Sequence, residues 1–280
     1  MKQGGLIKQL DQWLITSYVD DPDRRHDVNS PSQATTCLRA LYYARIGEKK
    51  DVLDPRARRI FDNGSWMHYR IQKYLEQMGV LLIKEAPIFN LEYNIQGHTD
   101  GILKYFPSEL AVLELKSINS RGFSELKQVK PEHVIQGSVY LFCLEEHRKT
   151  LKKYKTPRQF KLSQKKREKM YTKLYNHLKD DPWEGGKTRE EKVIKKVSEH
   201  LALDDLLYNT NKPITKVVFL YENKDTQELK EFVVKMDKEL LQQTLDRFIL
   251  NNKYSETKEC PPRECKIKNK FCSYSSICFK

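Results

Sequence analysis

The 280-residue sequence contains no long apolar run, and this absence argues against a membrane protein. A transmembrane helix needs about 18 or more consecutive apolar residues, whereas the longest apolar stretches here, such as 80–83, have only the length of a strand. The N-terminal residues interrupt their apolar side chains with Lys8, Gln9 and Asp11, a pattern that does not fit a signal peptide. The sequence therefore predicts an intracellular, cytoplasmic protein with no membrane partner.

Cysteine is also scarce, with six residues, and its distribution is uneven. Because the cytosol keeps thiols reduced, these residues do not indicate a disulfide framework. Cys143 lies in an apolar stretch and is expected to pack as a small hydrophobic side chain. Cys37 stands alone near the start, and the last 21 residues contain the other four, Cys260, Cys265, Cys272 and Cys278. This concentration at the C-terminal end requires a separate explanation.

Acidic residues are outnumbered, since 51 Lys and Arg against 38 Asp and Glu give a formal net charge of +13. Between residues 148 and 173, twelve basic residues face one acidic residue, Glu168, with Tyr154, Phe160 and Tyr171 interleaved. Such a run is often a solvated helical face. Its charge has one sign, however, and basic residues combined with aromatic rings suit phosphate contacts and base stacking. We therefore expect this segment to bind nucleic acid through Lys152, Lys153, Arg158, Lys161, Lys165, Lys166 and Arg167.

The apolar residues, 39% of the chain, are sufficient for a folded core. Their spacing is helical at the beginning, changes to short strand-like stretches after Gly79, and later becomes helical again. We expect a mixed α/β sheet with helices at 56–78, 131–144 and 236–249, strands at 80–83, 88–93, 101–105 and 110–118, and a hairpin formed by 217–221 and 229–234.

Three residues of the predicted strand region do not fit an ordinary core: Asp100, Glu114 and Lys116. Glu114 and Lys116 share a face of their strand, and Asp100 lies at the end of a neighbouring strand, where it can converge on them. Two carboxylates suit Mg²⁺ or Mn²⁺, and a nearby lysine suits the activation of water for phosphodiester hydrolysis. The simpler interpretation is a salt bridge between Glu114 and Lys116 at a strand edge. Glu222 also follows an apolar strand, and we interpret it as part of a hairpin turn.

Two helices add residues that support the candidate site at Asp100, Glu114 and Lys116. His68 shares a helix face with Phe61 and Leu75, so it points inward. An inward histidine is usually hydrogen-bonded in the core, but it can also supply a nitrogen ligand to a metal. Gln136 and Tyr140 are four residues apart on one face of a later helix, a pair that means little alone.

Taken in chain order, these residues resemble the RecB-like branch of the PD-(D/E)xK nuclease superfamily. The matching motifs are Gly-x-x-x-His at Gly64 and His68, Gly-x-x-Asp at Gly97 and Asp100, Glu-x-Lys at 114–116, and Gln-x-x-x-Tyr at Gln136 and Tyr140. The resemblance implies a restriction-endonuclease-like fold, in which helices flank a mixed sheet. It also implies that His68, Asp100, Glu114 and the Leu115 carbonyl bind Mg²⁺ or Mn²⁺. Its implied catalytic residues are Asp100, Glu114, Lys116, Gln136 and Tyr140.

One subgroup, which includes CRISPR-associated RecB-like exonucleases and the AddB nuclease domain, resembles the chain more closely. In that subgroup one cysteine before the nuclease core and three after it bind a [4Fe-4S] cluster. Cys37 is similar to the first ligand, and Cys272 and Cys278, in the segment that starts at Phe271, are similar to the last pair. The family usually has its second cysteine two residues before this pair. Here Cys265 lies further upstream, and Cys260 is the alternative to it. Zn²⁺ bound by the same four thiolates is the alternative to iron.

The implied function is metal-dependent hydrolysis of DNA by an exonuclease that acts on single strands or free ends, with recombination, repair or CRISPR proteins as partners. Two other interpretations stay open, namely a non-catalytic zinc-containing nucleic-acid-binding module and a structure-specific endonuclease. We expect one nuclease domain with five parts: N-terminal helices with the first cysteine ligand in 1–55, the core in 56–145, a basic helical insertion in 146–213, a core hairpin and helix in 214–253, and a cysteine-rich tail in 254–280.

Overall fold

The structure is a computed structural model that describes residues 5–16, 25–105, 109–179, 188–211, 213–266 and 272–279. Phe271 and residues 180–187 of the predicted insertion lie outside these ranges. The described residues form helices α1 (Gly5–Thr16), α2 (Leu38–Arg45), α3 (Pro55–Gln77), α4 (Ser120–Glu125), α5 (Pro131–Leu151), α6 (Pro157–Leu162), α7 (Gln164–Leu174), α8 (Arg189–Asn209), α9 (Lys238–Thr257) and α10 (Ser275–Cys278). Within them, no helix has both the length and the apolar character that a membrane span requires.

The strands are β1 (Leu81–Lys84), β2 (Pro87–Asn90), β3 (Ile95–His98), β4 (Gly101–Tyr105), β5 (Glu109–Ile118), β6 (Lys216–Asn223) and β7 (Leu229–Lys235). Five of them form one sheet in the order β1-β4-β5-β6-β7, and β2 pairs with β3 separately. β5 pairs antiparallel with β4 but parallel with β6. A parallel pair needs a long crossover, and here the crossover contains α4 to α8. The predicted mixed α/β sheet flanked by helices is therefore confirmed.

The central strand β5 is covered on both faces. Leu113 and Leu115 pack with Met67 and Ile71 of α3. On the opposite face, Val112 belongs to the core that α5 helps to form. Because both faces are buried, the strand is nearly continuous in apolar residues, and a charged side chain within it lies inside the protein.

The helices that cover β5 are defined by local sequence signals. α3 begins at Pro55 because the Asp54 carboxylate accepts hydrogen bonds from the backbone nitrogens of Arg56 at 2.8 Å and Ala57 at 3.2 Å. Gly79, with φ +70°, follows its end, so the predicted helix and its stop are confirmed. α5 approaches β6 closely at Gly137, where a Cβ atom would lie only 3.1 Å from Val217 Cγ2.

The hairpin of β6 and β7 is confirmed, but the interpretation of Glu222 as a turn residue is wrong. Glu222 is still paired in the strand, opposite Leu229, and is only 3% exposed. Both of its carboxylate oxygens accept hydrogen bonds from Arg70 Nη2 of α3, at 2.7 and 2.8 Å. This partner, distant in sequence, compensates the charge and allows β6 to continue beyond the apolar run.

Candidate active site

Six of the side chains singled out by the motifs meet where α3, β4, β5 and α5 come together. α3 contributes His68, the residue before β4 is Asp100, β5 contributes Glu114 and Lys116, and α5 contributes Gln136 and Tyr140. Hydrogen bonds and charge interactions connect all six, and we call them the polar cluster.

Asp100 connects α3 to β5. Its Oδ1 lies 3.0 Å from His68 Nδ1, and its Oδ2 accepts a hydrogen bond from the Leu115 backbone nitrogen at 2.6 Å. The antiparallel pairing of β4 and β5 places Gly101 opposite Leu113, which brings Asp100 beside the segment that carries Glu114. The predicted convergence of Asp100, Glu114 and Lys116 is thus present in the structure.

Lys116, Gln136 and Tyr140 are arranged around Glu114. Its Oε1 accepts hydrogen bonds from Lys116 Nζ and Gln136 Nε2, both at 2.7 Å. Gln136 also accepts from Lys116 at 3.0 Å and donates to the Tyr140 hydroxyl at 2.6 Å. Glu114 is only 4% exposed, and its other oxygen, Oε2, has no hydrogen-bond partner among the described residues. A buried oxygen without a partner is costly, so this atom indicates a position for a missing ligand.

The environment favours the protonated forms of two residues in the cluster. Burial, reinforced by the charge of Asp100, raises the pKa of Glu114 to about 7, although Lys116 and His68 oppose the shift. Burial lowers the pKa of His68, but the hydrogen bond to Asp100 and the nearby carboxylates outweigh it and raise the pKa above its ordinary value. Without a cation, the cluster therefore retains protons that a bound metal would displace.

A third carboxylate, Glu85, stands beside the cluster and was missed by sequence reasoning. Gln72 of α3, itself 2% exposed, donates to Glu85 Oε1 at 2.5 Å and to the Asp100 carbonyl at 2.9 Å. Burial and the charge of Asp100 raise the pKa of Glu85. Gln72 lies four residues after His68, on the same helix face. This spacing is the one sequence signal that could have placed Gln72, and through it Glu85, beside the site.

The basic insertion also reaches the edge of the site, through Lys196 of α8. Lys196 Nζ lies 3.3 Å from His98 Nε2 and 3.2 Å from Glu199 Oε2. Burial and the charge of Lys196 lower the pKa of His98 to about 3, so His98 is neutral and accepts this hydrogen bond. The sequence contains no signal for this contact, because Lys196 lies in a charged helix outside every motif.

The residues of the cluster suit a divalent cation chemically, although their present arrangement does not form a finished site. The described residues contain no group of three or more His, Cys, Asp or Glu side chains that could hold a metal ion as they stand. Both oxygens of Asp100 and one oxygen of Glu114 are engaged in hydrogen bonds within the protein. The unpartnered Glu114 Oε2 and the oxygen-rich donor set nevertheless fit Mg²⁺ or Mn²⁺.

The cysteine-rich tail packs against α2, whose first residue follows Cys37. Arg39 Nε donates to the Pro261 carbonyl at 2.7 Å, and the Tyr42 hydroxyl donates to the Lys258 carbonyl at 3.0 Å. The Leu38 backbone nitrogen donates to Glu264 Oε1 at 3.1 Å. These bonds bring residues 258–264 beside α2 and Cys37.

The thiol groups distinguish Cys265 from Cys260. Burial, the charges of Cys37, Cys272 and Cys278, and a hydrogen bond with Cys37 raise the pKa of the Cys265 thiol. Cys260 is exposed, and its Sγ lies 3.8 Å from the Tyr43 hydroxyl. The charges of all three other predicted ligands therefore act on Cys265, and Cys37 also forms a hydrogen bond with it. Cys143 is 1% exposed and packs in the core, as predicted.

The basic insertion is helical in its described part, but not all of its basic residues are available to a ligand. Arg167 is 7% exposed, donates to Asp204 Oδ2 at 2.6 Å and lies over the Phe160 ring at 4.1 Å, so its prediction as a nucleic-acid contact is wrong. Lys152 donates hydrogen bonds to the carbonyls of Tyr208 and Thr210 and so connects the end of α5 to the end of α8. The remaining five predicted contacts are exposed: Lys153, Arg158, Lys161, Lys165 and Lys166.

Two of the three interleaved aromatic residues are core side chains and cannot stack on bases. Phe160 is 6% exposed and stacks on Tyr208 with ring centroids 4.0 Å apart, and Tyr171 is fully buried. The expectation that these rings stack on bases is therefore wrong for Phe160 and Tyr171, because Phe160 belongs to the main hydrophobic core and Tyr171 packs against Phe89 and His200.

The sequence matches no protein-family model and no curated protein. Among solved structures, one similar chain is SSO0001, with 13% sequence identity and a TM-score of 0.44 over 99% of this chain and 98% of that chain. A likeness this distant carries no conclusion about function.

Proposed function

We propose that the protein is a metal-dependent nuclease that hydrolyses phosphodiester bonds in DNA, as an exonuclease acting on single strands or free ends. Glu114 carries the proposal. It is a buried carboxylate with a pKa raised to about 7, paired with a lysine, and its Oε2 has no partner among the described residues. A structural salt bridge in the core would be expected to satisfy both oxygens. A catalytic carboxylate instead needs one oxygen open to its ligand.

Each residue of the polar cluster has a role that its contacts support. Lys116 is fixed by Glu114 and Gln136 while its side chain remains 22% exposed, so its ammonium can contact a phosphate and an attacking water. Held there, it stabilises the negative charge that develops on the phosphate. Gln136 and Tyr140 orient Glu114, and His68 orients Asp100.

A Mg²⁺ or Mn²⁺ ion bound by His68, Asp100, Glu114 and the Leu115 carbonyl would supply Lewis-acid polarisation of the phosphate and a water of lowered pKa. Glu114 and His68 would hold such an ion in their deprotonated forms, so protons would compete with it for both residues. Binding of the ion would therefore strengthen as the pH rises through about 7, the pKa of Glu114.

The finer fold assignment, to the restriction-endonuclease-like class, is part of the proposal. It is supported by the antiparallel pair β4 and β5, which carries Asp100 and Glu114, and by the parallel strand β6, which follows a helical crossover. α3 and α5 cover opposite faces of β5 and supply the remaining site residues.

We also propose that Cys37, Cys265, Cys272 and Cys278 hold a [4Fe-4S] cluster. Four thiolates are the common ligand set of such clusters, and the interaction of Cys265 with the other three thiols supports this set. A four-iron cluster is larger than a single ion, so its thiolates need not be as close together as those of a zinc site. When bound, the cluster would fasten the tail to the residue before α2.

The function is tested by Mn²⁺-dependent cleavage of single-stranded DNA, with Lys116→Ala compared with Lys127→Ala. Lys127 is an exposed lysine outside the cluster. Loss of the charge at Lys116 should reduce the rate by about 10²-fold or more, because a preorganised charge that stabilises the transition state typically contributes that much. Lys127→Ala should cleave like the wild type. Equal rates for the two variants would contradict the proposal.

A further inference from the structure

A concave surface lies where the basic insertion meets the core. It is a cavity of about 680 Å³ between the end of β2, the C-terminal half of α5, and α7. This volume falls in the range of small-molecule sites. Its lining includes Phe89, Leu91, Tyr154 and Met170, which give it an apolar and partly aromatic interior. We call it the insertion cavity.

The mouth of the insertion cavity is basic. Lys166, Lys169 and Lys173 of α7 line it, and their spacing places them on one face of the helix. All three are exposed. The acidic lining residues are Glu92 and Glu146, and Glu146 is paired with Lys149 at 2.8 Å. The excess of positive charge over negative charge in this lining therefore favours an anionic ligand.

The wall behind these lysines is rigid. Asp204, fully buried, accepts hydrogen bonds from Arg167 Nε and the Tyr171 hydroxyl, both at 2.6 Å, and lies 2.7 Å from His147 Nε2. These bonds fix α7 against α5 and α8. The cavity is thus formed before a ligand arrives, which reduces the free-energy cost of ordering on binding.

Helix α5 connects the insertion cavity to the polar cluster. Its first half carries Gln136 and Tyr140, and Thr150 in its second half lines the cavity. At a rise of about 1.5 Å per residue, the ten positions from Tyr140 to Thr150 span roughly 15 Å. A span of this length corresponds to a few nucleotides of an extended strand.

We propose that the insertion cavity binds one nucleotide of a single strand, with the base in the apolar interior and the phosphate at the lysines of α7. A nucleotide combines the flat aromatic ring and the anionic group that this lining fits, and every base offers a face for stacking. This inference rests on the proposed function, because the strand that enters the cavity is the one cleaved at the polar cluster.

The test measures binding of labelled oligo(dT) by fluorescence anisotropy, using the full chain with Asp100→Asn and no added divalent cation, so that cleavage does not interfere. Thr150→Trp fills the cavity from an exposed position of α5, and Met170→Trp fills it from α7. Neither substitution changes the charge. Each should weaken binding about tenfold or more, the effect typical of losing a stacked base. Melting temperatures of the two variants verify that they fold.

A charge-matched pair tests the lysines. Lys166→Gln with Lys169→Gln removes two charges from the cavity mouth, and Lys161→Gln with Lys165→Gln removes two from exposed positions that do not line it. The first pair should weaken binding severalfold more than the second, and thymidine monophosphate should bind far more weakly than oligo(dT).

The outcomes separate this inference from the proposed function. If both tryptophan variants fold and bind oligo(dT) like their parent, the cavity is not the nucleotide site. If thymidine monophosphate binds as tightly as oligo(dT), the ligand is a free nucleotide and not a strand. A wild type that fails to cleave DNA contradicts the proposed function, whereas the binding measurements stay interpretable because they do not depend on cleavage.

Discussion

The raised pKa of Glu114 makes the stability of the metal-free protein depend on pH in a defined direction. Glu114 has an ordinary pKa of 4.5, and in the folded protein burial and Asp100 raise it to about 7. Between these values the unfolded chain is ionised at this position while the folded protein retains the proton. Stability contributed by Glu114 is therefore greatest at low pH and falls as the pH rises, with little further change above about 7.

Glu114→Gln removes this titration and keeps the size of the side chain. Each pH unit between the two pKa values corresponds to about 1.4 kcal/mol, so the wild type should lose about 2 kcal/mol relative to Glu114→Gln between pH ~5.5 and pH ~8. For a chain of this size, this change corresponds to a shift of roughly 3 to 4 °C in the difference between the two melting temperatures.

The assay is thermal unfolding of both proteins across this pH range without divalent cations. Only the change in the difference counts, because the substitution also alters the contact with Lys116 at every pH. If the difference between the two melting temperatures stayed the same at every pH, Glu114 would have an ordinary pKa, and the effect assigned to its burial would be wrong.

Three further predictions concern the metal, the cysteines and the insertion. Added Mn²⁺ should raise the melting temperature of the wild type more at pH ~8 than at pH ~6, because Glu114 has a raised pKa and its proton competes with the ion at the lower pH. An equal rise at both pH values would contradict this prediction. Protein purified anaerobically should absorb broadly near ~400 nm, and Cys265→Ser should abolish this absorbance whereas Cys260→Ser should not; the reverse result would exchange the two ligands. Arg167→Ala should destabilise the fold by about 3 kcal/mol in denaturant unfolding, because it leaves buried Asp204 without its cation. Arg158 is exposed, so Arg158→Ala should change stability little. Equal effects of the two substitutions would contradict the buried ion pair.

The parts of the fold that the sequence predicted well have strong local signals. The cap at Asp54 and Pro55 determines where α3 begins, and the two buried faces of β5 give its apolar run. Glu114 and Lys116 could be placed on one face because strand periodicity is strict. His68, Gln136 and Tyr140 joined the candidate site through the resemblance to the nuclease motifs, and no sequence signal predicted the hydrogen bonds within the cluster.

The failures involve partners that are distant in the sequence. Arg70 stabilises Glu222 at the end of β6 across 152 positions, and Asp204 neutralises Arg167 across 37 positions. Arg167 was predicted to be available to nucleic acid because the sequence does not show which charges are paired. Glu85 was missed for the same reason, since its link to the site passes through the buried amide of Gln72.

The central claim is that Asp100 belongs to a metal-dependent catalytic site. The most direct measurement is the rate of single-stranded DNA cleavage at saturating Mn²⁺ by the wild type, Asp100→Ala and Glu76→Ala, an exposed carboxylate on α3 that serves as the matched control. We expect the wild type and Glu76→Ala to cleave equally and Asp100→Ala to lose about 10²-fold or more in rate, with DNA binding retained. Wild-type cleavage by folded Asp100→Ala, or no Mn²⁺-dependent cleavage by the wild type, would contradict the account.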